Sequence, residues 1–213
     1  MLLRLPPALR RHLCALRMLL VFTAVTGIVY PLAVTGIAQL VFPGQANGSL
    51  LTADGRVVGS RLIGQDFDLS PARGGAGPRP DPRWFQPRPS AAEGGPGGGA
   101  YDPGNSTASN LGPNNTVLVR SIAGRRAQVA AFDGVRPQDV PADALTSSGS
   151  GLDPHISPAY AHEQIGRVAR SRGLSPERVR SLVSRHVEGR HLGFLGEERV
   201  NVVELNEELS GLR

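Results

Sequence analysis

The chain has 213 residues and a formal charge of +5, with 23 basic side chains against 18 acidic ones, and every basic residue is arginine. Without lysine there is no Walker A Gly-Lys-Ser/Thr, no Schiff-base lysine and no Asp-Lys-Thr of a phosphoaspartate ATPase, so ATP hydrolysis by this chain alone is not expected. The arginines are scattered along the chain, which argues against nucleic acid as a partner, and the single cysteine, Cys14, excludes an internal disulfide.

Met18 to Phe42 is a run of about 25 residues with no charged side chain, preceded by Arg4, Arg10, Arg11 and Arg17. As a helix it would be about 37 Å long, enough to cross a hydrocarbon core of about 30 Å with some tilt. It exceeds the apolar region of a signal peptide and no small-x-small cleavage site follows, so it is expected to remain as an anchor. The arginine cluster marks the cytoplasmic side. The expected organisation is therefore a cytoplasmic N-terminus (1–17), a single transmembrane helix (18–42) and an extracytoplasmic domain (43–213) at the cell membrane. Thr23, Thr26, Gly27, Pro31, Thr35, Gly36 and Gln39 interrupt the apolar run. Such residues suit packing against another membrane helix better than contact with lipid alone. The Asn-x-Ser/Thr triplets at Asn47, Asn105 and Asn114 are read as chance.

Leu50 to Leu62 predicts a hairpin turning at Asp54-Gly55. Two stretches rich in Gly, Pro, Ala and Arg, about 70–83 and 92–100, cannot bury enough apolar surface to offset their ordering entropy, and they predict mobile loop insertions. The aromatic pair Trp84-Phe85 between them is expected to anchor the segment to the core. Asn115 to Val129 predicts a helix with Val117, Leu118, Ile122 and Val129 as its apolar stripe. Ser157-Pro158 and Ser175-Pro176 are helix starts, and Gly173 stops the first of these helices. Ala161, Ile165, Val168 and Ala169 form one apolar face; Val179, Leu182, Val183 and Val187 form the other. Val200 to Leu205 predicts a strand, with Asn206 capping a short last helix. Mixed elements in separate runs give an α+β class: one N-terminal transmembrane helix followed by one extracytoplasmic mixed domain with Gly/Pro-rich insertions.

The densest polar constellation is the loop holding Ser148, Gly149, Ser150, Gly151, Asp153, Pro154, His155 and Ser157. A Gly/Ser loop running into a helix N-terminus can cradle an anion, and Asp153 with His155 could serve a Ser148 or Ser150 nucleophile. The full Gly-x-Ser-x-Gly elbow is absent, however, and the simpler reading has Asp153 and Ser157 capping turns and helices. No catalytic residue is assigned. The five histidines lack close metal-ligand spacing, so no metal site is expected. Gln164 falls near the apolar face of its helix, where a polar side chain is most simply bonded to backbone.

The run from Ser148 to Pro158 resembles the signature of KdpC, the C subunit of the bacterial Kdp potassium-transporting ATPase. So do Gly59-Ser60 with Leu62-Ile63-Gly64-Gln65, Arg88-Pro89-Ser90-Ala91, Ser109 to Pro113, Leu192 to Glu197, Arg199 to Val202 and Glu204-Leu205-Asn206. The resemblance implies a one-helix, non-catalytic subunit in the lipid bilayer. Its partners would be a channel-like potassium subunit, a P-type ATPase subunit and a small membrane peptide. It implies a catalytic chaperone that raises the ATP affinity of the ATPase subunit, with Gln164 as the nucleotide contact. No cofactor belongs to the chain itself; ATP and potassium act at the level of the complex. Gln164 as a nucleotide contact conflicts with the positive-inside expectation, because ATP is cytoplasmic and the arginine flank puts Gln164 outside. The alternative is a membrane-anchored extracytoplasmic binding or scaffold module unrelated to transport.

Overall fold

The computed structural model describes residues 6–53, 55–69, 79–92 and 101–212, in two compact units, Met1–Ser49 and Leu50–Arg213. In the first unit one helix runs from Pro7 to Val41, long and apolar enough to cross a membrane. It comprises α1 (Pro7–Ala24), a π-helical turn (Val25–Val29) and α2 (Tyr30–Val41). At about 1.5 Å per residue its 35 residues reach about 52 Å. The helix begins well before the uncharged run, so Arg10, Arg11 and Arg17 lie within α1. The π turn ends two residues before Pro31, which has no N–H to give the carbonyl of Gly27; the wider turn accommodates that missing bond. One further turn, α3 (Pro43–Ala46), follows, and the amides of Gln39 and Asn47 bond each other reciprocally at 3.2 and 3.1 Å.

The second unit opens on an antiparallel hairpin, β1 (Leu50–Ala53) and β2 (Arg56–Ser60), with Ala53 opposite Arg56 and Gly55 at φ 74°. Gly55 thus has the positive φ that the second position of the predicted hairpin turn takes. The two stretches expected as mobile loops lie outside the described residues over 70–78 and 93–100. Within the first, the loop expectation is corrected at its C-terminal end. Residues Arg79–Pro80 form β4, paired antiparallel with β3 (Asp68–Leu69). The Asp81 N–H then donates to the Phe67 carbonyl at 3.0 Å, and buried Asp81 holds the Arg83 guanidinium at 2.6 Å. Phe85 is fully buried and Trp84 packs half-buried against the core beside Phe67, so this aromatic pair does anchor the segment.

Helix α4 (Thr116–Asp133) is capped by the Asn115 side chain and closed by Gly134 at φ 76°. It is longer than predicted and more weakly attached. Val117 is exposed, Leu118, Ile122 and Val129 are half-buried, and full burial is confined to Ala130 and Asp133 in its last turn. Its apolar residues are spread around the helix, so no single face can be buried whole.

Helices α5 (Pro158–Arg172) and α6 (Pro176–Arg185) pack together as the core pair. Ser157 and Ser175 cap them, each followed by proline at the first helical position, and Gly173 ends α5 at φ 66°. Ala161, Ile165, Val168 and Ala169 are buried, as are Val179, Leu182 and Val183. Val187 lies beyond the end of α6, in strand β6 (Val187–Glu188). That strand flanks β7 (Arg199–Asn201), with β5 (His155–Ile156) on the other side, in an antiparallel sheet ordered β5-β7-β6.

The strand predicted over Val200–Leu205 is corrected. β7 ends at Asn201, whose Oδ1 accepts the N–H groups of Val203 and Glu204 at 3.0 and 3.2 Å and starts α7 (Val202–Ser210). The β-branched pair Val202-Val203 reads as strand by propensity, but the cap overrides it. Asn206, predicted as the cap, is buried within α7. The mixed α+β class holds, with a long apolar helix at the N-terminus.

Candidate functional site

The Ser/Gly loop is built by local bonds and then fastened to four other segments. The Ser148 and Ser150 hydroxyls accept the N–H groups of Gly151 and Leu152 at 2.9 and 3.1 Å. Gly151 turns the loop at φ 69°, where a Cβ would lie 2.5 Å from the Thr107 carbonyl oxygen and 3.0 Å from Ala92. No other residue fits that close approach. The Gly151 carbonyl accepts the Ser90 hydroxyl at 2.6 Å and the Ser150 carbonyl accepts the Ser106 hydroxyl at 3.0 Å. Leu152 accepts the Gly64 N–H at 2.8 Å, and Pro154 accepts the Val202 N–H at 2.8 Å. Gly149 stands exposed at the tip.

Asp153 is the electrostatic centre of this loop. Its Oδ1 accepts the His155 N–H at 3.0 Å and lies 3.1 Å from His155 Nδ1, and its Oδ2 faces Arg88 Nη1 at 3.3 Å. Burial works against its charge. The hydrogen bonds from the His155 ring and amide, with the charges of His155 and Arg88, outweigh burial and hold the carboxyl below its ordinary range. Arg88 also donates to the Thr146 carbonyl at 3.3 Å. Ser157 caps α5 through its Oγ, which accepts the Tyr160 N–H at 3.1 Å and donates to Asp143 at 2.9 Å. The Ser157 N–H donates to the same carboxylate at 2.7 Å. Arg88 and Asp153 border a groove lined by Leu62, Ile63, the loop and Pro154, and a second groove lined by Asp143, His155 and Ser157.

The arrangement does not assemble a nucleophile. His155 pairs with Asp153, but the Ser148 and Ser150 hydroxyls bond loop amides and each other at 3.4 Å rather than the histidine. A serine nucleophile needs a base within hydrogen-bond reach. These residues tie turns and start a helix, the structural role the sequence allowed for them.

Gln164 stands apart from the loop. It points inward from α5 and is fully buried. Its Oε1 accepts the Gln86 N–H at 2.6 Å and Arg167 Nη2 at 2.6 Å, and its Nε2 donates to the Gln86 carbonyl at 3.1 Å. Asn206 on α7 treats the preceding residue the same way, with Phe85 N–H to Oδ1 at 3.0 Å and Nδ2 to the Phe85 carbonyl at 2.9 Å.

Sequence reasoning passed over Arg88 and Ser90 as individual actors, although both lie in a recognised motif. Asn201 was missed as a cap; its Nδ2 also donates to the Arg61 carbonyl at 2.7 Å. Asp143 and Arg167 carried no signal, because their partners are distant in sequence.

Comparison with known proteins bears on what this scaffold serves. The family model described as "KdpC: K+-transporting ATPase, c chain" matches residues 12–211. The chain belongs to the KdpC family. The Kineococcus radiotolerans potassium-transporting ATPase KdpC subunit is 54% identical over 198 residues, covering 93% of this chain and 92% of that protein. The Streptomyces coelicolor KdpC subunit is 52% identical over 205 residues, covering 93% and 91%. The Mycobacterium tuberculosis KdpC subunit is 49% identical over 201 residues, covering 92% and 96%. Membership of the KdpC family makes the chain an accessory subunit of a K+-transporting ATPase and sets aside the module unrelated to transport. Both Gln164 and the Ser148–Ser157 loop lie inside the matched region.

Proposed function

We propose that this subunit assembles and stabilises the ATP-driven potassium uptake complex structurally, with residues 43–213 on the extracytoplasmic side near the potassium entrance. The partners are the channel-like potassium subunit, the P-type ATPase subunit and a small membrane peptide. The helix Pro7–Val41 anchors the chain in the bilayer, and its Thr, Gly and Gln positions pack on a partner helix. Arg10, Arg11 and Arg17 near its N-terminal end support an inside N-terminus.

The observation that carries the reading is the burial of Gln164. A side chain with no exposed surface, holding the main chain of Gln86 and the guanidinium of Arg167, is a structural tie. It meets nucleotide only if the core opens. Under this reading any chaperone effect on the ATP affinity of the ATPase subunit is transmitted through assembly, without ATP contacting Gln164.

The test is potassium-stimulated ATPase activity of the complex with and without this chain, together with thiol labelling of an exposed cysteine beside Gln164. His162→Cys in a Cys14→Ser background provides that cysteine, since His162 is exposed on α5. Labelling of intact cells by an impermeant reagent is the expected result. Labelling only after the membrane is opened would overturn the placement.

A further inference from the structure

Glu163 neighbours Gln164 on α5, and its carboxylate is sealed in the fold. Both oxygens are buried without a hydrogen-bond partner, the only such side-chain atoms among the described residues. Beside it lies Asp133, the last residue of α4, with its side chain 1% exposed. Asp133 Oδ1 holds Arg167 Nε at 2.5 Å. The rest of that guanidinium is committed elsewhere. Nη1 donates to the carbonyls of Pro82 and Trp84 at 2.8 Å, Nη2 donates to Gln164 at 2.6 Å, and the group lies 4.4 Å from the Phe132 ring centroid.

Asp133 therefore has a guanidinium partner, whereas the Glu163 carboxylate beside it has none. The remaining surroundings do not help. Asp143 and Asp139, from the short turns that follow α4, act on Glu163 with the same negative sign as Asp133. Arg136 is paired with Asp139 at 2.7 Å, Asp143 is held by Ser157, and the Tyr160 phenol on α5 is itself buried. An unpaired charge in such a place is costly, and the usual resolution is a retained proton.

We propose that Glu163 and Asp133 share one proton, and that this proton is a pH-sensitive clasp holding the C-terminal end of α4 against α5. With the proton in place, the Glu163 carboxyl donates through one oxygen to Asp133, and the group no longer carries a buried charge. Once it is lost, two adjacent carboxylates repel, and the separation that relieves them lifts the last turn of α4. That turn carries the only fully buried residues of α4, Ala130 and Asp133, and once the proton is gone the Asp133–Arg167 ion pair still holds it, but against the repulsion of Glu163.

Burial first, then the Asp133 charge and the contact with that carboxyl, push Glu163 from its usual 4.5 up to about 7. The sign follows from proton linkage: the folded state holds a proton that the unfolded chain has lost between these values. The clasp is fully closed in acid, and its contribution is lost as pH rises toward about 7.

Hydrogen exchange of the full chain in detergent micelles, corrected for the intrinsic rate, tests this. In the wild type, protection at the last turn of α4 falls at least about tenfold between pH 5.5 and 8, while α6, buried through Val179, Leu182 and Val183, keeps its protection. In Glu163→Gln, whose amide donates to Asp133 and cannot ionise, α4 is protected equally at both pH values. Parallel pH responses of α4 and α6 in the wild type would overturn the proposal without need of any variant. Identical α4 profiles in wild type and Glu163→Gln would do the same.

Discussion

Gln164 pairs with the main chain of Gln86 as a neighbouring strand would, accepting its N–H at 2.6 Å and donating to its carbonyl at 3.1 Å. Asn206 repeats this on Phe85 from α7. A chain segment with no strand partner is thus held in the core by two side-chain amides from two helices. Both amides are fully or almost fully buried, where an unmade bond costs most.

The first prediction follows directly. Gln164→Leu leaves the N–H and carbonyl of Gln86 buried and unpaired and removes an acceptor from Arg167. At about 1–3 kcal/mol per buried group, the loss is expected to be about 3 kcal/mol in thermal or denaturant unfolding. Gln164→Glu keeps both acceptor bonds and loses only the donor, so it falls between wild type and leucine. Equal stability of wild type and Gln164→Leu would show that the tie contributes nothing.

Gly151→Ala tests the loop. The alanine must adopt the φ of 69° while its Cβ lies 2.5 Å from the Thr107 carbonyl oxygen. Left-handed strain and the clash together cost roughly 2–3 kcal/mol, read as a lowered Tm. Gly149→Ala, at an exposed site with open space around it, leaves Tm almost unchanged.

Asn201 joins two jobs, capping α7 and holding the Arg61 carbonyl. Asn201→Ala removes both and is expected to cost about 2 kcal/mol. Asn201→Asp retains the cap and loses only the donor, so it recovers part of that stability in the same unfolding measurement.

Asp153 predicts an acid dependence. Its folded-state pKa lies below the ordinary 3.8, because the His155 and Arg88 contacts outweigh burial. The unfolded chain therefore takes up the proton first, and the contribution is present above pH 3.8 and lost as pH falls through the lower folded value. Asp153→Asn should lower stability at pH 7 and flatten the acid end of the stability profile. Superimposable profiles below pH 4 would show that the carboxylate is not coupled to folding.

Much of this architecture was legible because its signals are local. The Asp-Gly turn, the two Ser-Pro helix starts and the Gly173 stop each act within a few residues, and the structure keeps all four. Val202-Val203 was misread because β-branched residues favour strands, while the cap that turns them into a helix is a side chain one residue earlier. Val187 fell off its helix face because α6 stops at Arg185, with no glycine or proline to mark the end. The Gly/Pro stretch concealed β4 and the buried Asp81, since composition cannot show pairing with Asp68–Leu69. In the site, sequence placed Asp153, His155 and Ser157 together but could not show their distant partners Arg88 and Asp143. Gln164 was placed correctly near the apolar face. Its partner Gln86 lies 78 positions away, so only the fold shows what it holds.

The central claim is that Gln164 serves the domain's interior and not nucleotide. The most direct test measures KM for ATP of the assembled potassium-stimulated ATPase carrying Gln164→Ala, with assembly and potassium affinity measured in parallel. The account predicts that KM for ATP changes only as far as the variant impairs folding or assembly. A raised KM for ATP in a fully assembled complex with unchanged potassium affinity would contradict it.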